Sequence, residues 1–201
     1  MKTLWFLFIG LCCISDCHAQ SGWKVPKLRE LSQADAIKTG AAHLSAEDIA
    51  LLKRVTRDVI EECAADPGPG DPGTALGLFG QLRVRRVNLG PHSNAGLVVQ
   101  GTGVCMCGAV GNCPFWVIGE APRPGVLLET VGIQTFALQE NLTARRFDLL
   151  VGSHDSAMQT DLQRFRFNGT KYQLNGCALI DWDDENLNLL RRPRITAREC
   201  P

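Results

Sequence analysis

Six cysteines spread between Cys63 and Cys200 constrain this chain more than any other feature, because in an oxidising compartment they decide which segments lie together. The compartment is readable from the start of the chain. Lys2 precedes an apolar run from Leu4 to Ile14, and Cys17, His18 and Ala19 supply a signal-peptidase cut, so residues 1–19 read as a signal peptide. Cleavage after Ala19 removes Cys12, Cys13 and Cys17 and turns nine cysteines into six, the even number that full pairing needs. The expected location is periplasmic or secreted. No later stretch approaches the roughly 18 apolar residues of a membrane-spanning helix, so the mature chain is expected to have no transmembrane segment.

Residues 20–201 fit one disulfide-stapled, mostly β domain. Loss of Lys2 and Asp16 with the leader leaves the formal charge at zero, which argues against a nucleic-acid binder that works by displacing counterions. The densest basic group, Arg83, Arg85 and Arg86, lacks the interleaved aromatics that stack bases and reads as a solvated strand face.

Gln20 to Gly40 reads as an extended leader or an irregular covering segment. Ser45 caps the first clear helix, Asp48 stands at the capping-box position, and Ile49, Leu52, Val55, Val59 and Cys63 keep helical spacing. The spacing predicts one amphipathic helix that covers a core. Prolines and glycines in 66–73 end it and form an internal connector.

Everything after the connector reads as β. Leu82 and Val84 share one parity and Val87 and Leu89 the other, which predicts a bulge near Arg85 and Arg86. Further strands are expected at Ala95–Gln100, Phe115–Ile118 and Phe147–Val151, with a hairpin made by Val126–Glu129 and Ile133–Leu138. Asn168 and Gly169 suit a two-residue type I′ turn. That turn puts Phe167 opposite Thr170, Phe165 opposite Tyr172 and Gln163 opposite Leu174. One face is then Phe165, Phe167, Tyr172 and Leu174, and the wet face is Arg164, Arg166, Lys171 and Gln173. The expected fold is mainly β (α+β), an antiparallel sheet or partly closed barrel with one N-terminal covering helix and disulfides.

Cys105, Cys107 and Cys113 form the densest local signal. After export they read as disulfide partners, with Gly108 and Gly111 letting a short loop close between Cys107 and Cys113. The sequence does not choose among the remaining pairings; the preferred ones are Cys63 with Cys105, to tie the helix to the sheet, and Cys177 with Cys200, to hold the C-terminal tail.

Catalytic candidates are thin. Ser153, His154, Asp155 and Ser156 follow an apolar strand and read as a polar strand-to-loop connection; His154 is the one general-base candidate, with Asp155, Ser156 or His92 as its partners. A zinc site would need His92, His154 and Asp155 without a His-Glu-x-x-His signature, and His43 reads as a helix-flanking residue. Asp181, Asp183, Asp184 and Glu185 around Trp182 lack the EF-hand glycine and glutamate and read as a solvated turn. No metal and no cofactor is called for. Asn141 and Asn168 lie in glycosylation sequons.

The stretch from Cys107 to Trp116, a CGAxGNCP-type segment, together with Phe147–Ala157 and Phe165–Tyr172, resembles segments of small exported bacterial proteins that lack an assigned activity. The resemblance implies export and a β-rich fold and transfers no catalytic residue. The leading functional expectation is an exported binding or inhibitor-like protein that engages another extracytoplasmic protein or a glycan, with Phe115, Trp116, Arg123, His154 and Asp155 as contact candidates. The alternatives are a small hydrolase using His154 as general base, and a purely structural envelope protein. No oligomeric state follows from the sequence.

Overall fold

The computed structural model describes residues 44–91, 95–119, 124–183 and 189–200. Residues 1–19, read from the sequence as a signal peptide, the Gln20–Gly40 segment, His43, His92, Arg123, Asp184 and Glu185 lie outside the described residues.

Ser45 and Asp48 start the first helix by exchanging hydrogen bonds: the Asp48 amide donates to Ser45 Oγ at 3.1 Å, and the Ser45 amide donates to Asp48 Oδ2 at 3.0 Å. The helix does not run on as one piece. It bends at Thr56, whose buried hydroxyl donates back to the Leu52 carbonyl at 2.9 Å, a side-chain bond that tilts the backbone out of line. The result is α1 (Ala46–Val55) and α2 (Arg57–Ala65). Two further helices correct the expectation of a single one. After the connector, Thr74 accepts from the Gly77 amide at 3.2 Å and opens α3 (Ala75–Gln81), and a short α4 (Gly103–Cys107) leads into the cysteine cluster. No described helix is long and apolar enough to cross a membrane.

Among the described residues nine strands make two antiparallel sheets. The first orders β1 (Arg83–Asn88), β2 (Ala95–Gln100), β3 (Cys113–Gly119) and β4 (Gly125–Ile133). The second orders β5 (Thr135–Thr143), β6 (Arg146–Ser156), β7 (Gln159–Phe167), β8 (Tyr172–Asp183) and β9 (Leu189–Arg198). Neither closes into a barrel. The expected hairpin between Val126–Glu129 and Ile133–Leu138 is absent, because Ile133 still pairs with Cys113 in the first sheet and the chain crosses to the second sheet at Gln134.

The first sheet is apolar on both faces, which accounts for its sequence. Val98, Phe115, Val117 and Ile133 meet Phe136, Leu149, Val151, Phe165, Phe167 and Tyr172 of the second sheet in one core, with the Phe115 and Phe136 rings 5.1 Å apart. Leu97, Val99, Trp116 and Ile118 point the other way, into Leu51, Leu52, Val55, Val59 and Phe79 of the helices. The parity change in β1 has the same cause. Its pairing with β2 is regular from Arg83 to Asn88 without a bulge; Val84 packs under the helices and Val87 packs between the sheets.

The β7–β8 hairpin keeps the apolar set but not the expected register. Phe167 pairs with Tyr172 and Phe165 with Leu174, so the loop holds four residues, not two. Asn168 sets that length: its Oδ1 accepts from the Thr170 and Lys171 amides, both at 2.9 Å, and its amide donates to the Lys171 carbonyl at 3.0 Å. Leu174, opposite Phe165, stays on the expected apolar face but is 37% exposed there. A bulge between Arg164 and Phe165 leaves Asn175 unmatched, and its Oδ1 takes the Arg164 guanidinium at 2.8 Å, which buries an arginine expected to be wet.

Among the described residues three disulfides staple these layers. Cys63–Cys105 joins α2 to α4, Cys107–Cys113 joins α4 to β3, and Cys177–Cys200 joins β8 to the tail after β9; these coincide with the pairing preferred from the sequence.

Candidate functional site

Phe115 and Trp116, taken from the sequence as contact residues, are 0% and 1% exposed. Their opposite parities place one in each core layer, and Trp116 Nε1 donates to Glu129 Oε1 at 3.0 Å. They support the fold and present nothing to a ligand.

The Ser153–Ser156 segment is no loop either. β6 continues to Ser156, so these residues belong to a strand. The His154 backbone is held at both ends by Asn112, which accepts from its amide at 3.0 Å and donates to its carbonyl at 2.9 Å. Ser156 Oγ accepts from the Met158 amide at 3.3 Å and shapes the turn into β7. The His154 side chain is exposed, and no hydrogen bond joins its imidazole to Asp155, Ser156 or another described side chain. Asp181 and Trp182 close β8 and are not part of a turn; Gln159 donates to Asp181 at 2.7 Å, and Trp182 Nε1 reaches Thr160 at 3.3 Å. Among the described residues no group of three His, Cys, Asp or Glu side chains is arranged to hold a metal ion.

What the fold brings together instead is the connector and the cysteine cluster. Asp71 leaves the connector and places one carboxylate oxygen on the Val104 amide at 3.1 Å and the other on the Cys105 amide at 2.7 Å, filling two of the open donors at the start of α4. Gly68 lies so close that a Cβ there would come within 2.8 Å of the Val104 Cβ and 2.9 Å of the Cys105 nitrogen. Cys63–Cys105 pins α4 from one side and Cys107–Cys113 from the other. Gln134 Nε2 donates to the Val110 carbonyl at 2.7 Å, and Asn112 ties the same loop to the second sheet. Thr102 Oγ1 closes the far side on the Gln81 carbonyl at 2.8 Å.

A groove of about 680 Å³ runs between these pieces, within the size range of ordinary ligand sites. Gly101, Gly103, Gly108 and Gly111 line it, so its walls are largely backbone. Both Asp71 oxygens are engaged, Gln81 Oε1 is a buried acceptor without a partner, and Arg83 stands exposed at the rim without an ion-pair or hydrogen-bond partner among the described residues. Arg83 also begins β1, the edge strand of its sheet, so the groove continues the line of that edge. Such a site can hold a ligand by main-chain hydrogen bonds and one cation; it contains no nucleophile beside a base.

A second hollow of about 540 Å³ lies between α1 and the first sheet over Leu51, Leu97 and Ile118. Its charged pair, Asp48 and Arg86 at 3.0 Å, already satisfies itself.

Sequence reasoning took the cysteine cluster as a staple and missed the groove, because Asp71 and Gln81 come from segments read as a spacer and a strand start. The available signal was Asp71 inside the Pro/Gly run of 66–73, a residue type that readily caps a helix start elsewhere in a chain. No family model, curated protein or solved structure matches this chain.

Proposed function

We propose that this is an exported binding protein that seats an extended, carboxylate-bearing segment of another extracytoplasmic protein in the groove between the connector and the cysteine cluster. The observation that carries the reading is the groove's fixed backbone wall: two disulfides and the Asp71 carboxylate hold α4 and its flanks, so little ordering is left to oppose binding. The adjacent β1 edge offers the main-chain pairing that an extended segment needs, and Arg83 offers a charge-assisted bond to its carboxylate.

The test is a titration of the oxidised chain against extended peptides carrying one to three acidic residues, beside neutral peptides and oligosaccharides with and without uronic acids. Acidic peptides should bind best, and Arg83→Glu should weaken them about tenfold or more, given the roughly 1.5–3 kcal/mol carried by a hydrogen bond to a charged group. Urea stability of the variant should match wild type. Binding confined to uronate glycans would move the partner to carbohydrate and overturn the proposal, as would peptide binding indifferent to Arg83→Glu or no binding at millimolar ligand.

A further inference from the structure

A third hollow, of about 370 Å³, lies between α2 and α3 and differs in chemistry from the groove. Every residue that lines it is a described one, and none is shared with the groove. Its apolar part comes from both helices. Ile60 of α2 is 5% exposed, and Phe79 of α3 is half-buried. Leu76 stands one turn before Phe79 on the same helix, where residues three apart are surface neighbours, and it is 76% exposed. A lone exposed leucine is ordinary on a protein surface. This one borders a recess that already has an isoleucine and an aromatic ring in its wall, so an apolar body seated there would be removed from water on several sides.

The charged residues of the wall are Lys53, Arg57 and Glu61. They recur every four residues along α1 and α2, a spacing that keeps them on one side and roughly 6 Å apart along a helix axis. Lys53 Nζ stands 5.6 Å from the centre of the Phe79 ring, so the cationic end of the row is the end at the aromatic, and Glu61 lies two turns away from it. All three side chains are exposed, and none of them forms an ion pair among the described residues. Two cations against one carboxylate leave positive charge in excess beside Phe79. An apolar recess with such a rim complements an acid that carries an apolar body; a cationic amphiphile would meet Lys53 and Arg57 with like charge, and a neutral one would leave both unused.

Size narrows the class further. At the roughly 30 Å³ that one water takes in the liquid, the hollow has room for about twelve non-hydrogen atoms, enough for one medium-length chain with its carboxylate and too few for a two-chain lipid. We propose that the hollow between α2 and α3 binds a free medium-chain carboxylic acid, with its chain against Ile60, Leu76 and Phe79 and its carboxylate between Lys53 and Arg57. This site is independent of the groove and of what the groove holds.

The experiment titrates the full, oxidised, nitrogen-15-labelled chain with decanoate, decanol and decyltrimethylammonium, each below its micelle concentration, and follows the amide resonances. Decanoate should shift the amides of Arg57, Ile60, Leu76 and Phe79 saturably and bind at least fivefold tighter than decanol, with decyltrimethylammonium weakest. Arg57→Glu should weaken decanoate about tenfold and place decyltrimethylammonium ahead of it, while Leu76→Asn should weaken decanoate and decanol alike by at least threefold. Both positions are exposed, so the urea midpoints of the variants should match wild type. Saturable shifts confined to another part of the chain, decanol binding as tightly as decanoate, decanoate affinity unchanged by Arg57→Glu, or no saturable shift at all would each overturn the proposal.

Discussion

Removing the disulfides one pair at a time, as Cys63→Ala/Cys105→Ala, Cys177→Ala/Cys200→Ala and Cys107→Ala/Cys113→Ala, should destabilise the fold in that order. The bridged cysteines stand 42, 23 and 6 residues apart in sequence. Closing loops of those lengths in the unfolded chain corresponds to about 4, about 3.5 and about 2 kcal/mol respectively. Cys63 and Cys177 are both almost fully buried, and each variant also deletes two sulfur atoms from a packed site, so packing losses shift all three values in the same direction. Urea unfolding at 25 °C, monitored by circular dichroism with the remaining bridges verified by mass, gives the free energies. Reduced slopes are expected in wild type relative to each variant, because a cross-linked unfolded chain exposes less surface. If the Cys107/Cys113 variant lost as much stability as the Cys63/Cys105 variant, the argument from loop length would be wrong, and the short bridge would be carrying native-state structure that the long one does not.

The β7–β8 loop gives a second test: Asn168→Asp keeps the acceptor for the Thr170 and Lys171 amides and should match wild type, whereas Asn168→Ala should lose about 1 kcal/mol. Gly169 has φ +101° and open space where a Cβ would sit, so Gly169→Val should cost about 1–3 kcal/mol from backbone strain alone; equal stability of all these proteins in thermal unfolding would sink the loop geometry. Asp48 supplies a pH test. Partial burial raises its pKa, but the Ser45 amide, the Ser45 hydroxyl and the Arg86 guanidinium outweigh this and hold it below the 3.8 of a free aspartate. A depressed folded pKa adds stability above the unfolded value that is lost as pH falls through the folded one, so Asp48→Asn should be about 1 kcal/mol less stable than wild type at pH 7, with the gap closing below about pH 4. A gap independent of pH between 7 and 3 would contradict the assignment.

What the sequence made legible was whatever rests on short-range chemistry. The Ser45 cap, the Ala95–Gln100 strand and the connector follow from residues that interact within a few positions. The misreadings share a physical origin in layers that a single strand cannot reveal. Val84 and Val87 looked out of phase because one face was assumed wet, when both faces of β1 are packed. Ile133 looked like the start of a hairpin strand because its true partner, Cys113, is set by a sheet whose edges the sequence does not mark. α3 was missed since Gly77 and Gly80 depress helix propensity, and burial of Leu78 at 0% exposure overrides them. A two-residue reversal in the second sheet joins Thr143 to Arg146, where Ala144 and Arg145 both adopt positive φ, a conformation neither residue type advertises. For the groove, the cysteines were visible but the carboxylate that completes it was not, because Asp71 and Cys105 are joined only by the fold.

All seven described ladders join strands that are neighbours in sequence, and only the Gln134 step carries the chain from one sheet to the other. Each meander therefore assembles from hairpins that close over short stretches of chain, with little loop entropy to overcome, and the distant contacts are deferred to a single docking event between two preformed halves. The docked halves meet at contacts such as Phe115 against Phe136, and a hinge at Gln134 that opened before docking would leave each half free to pair with its counterpart in another copy.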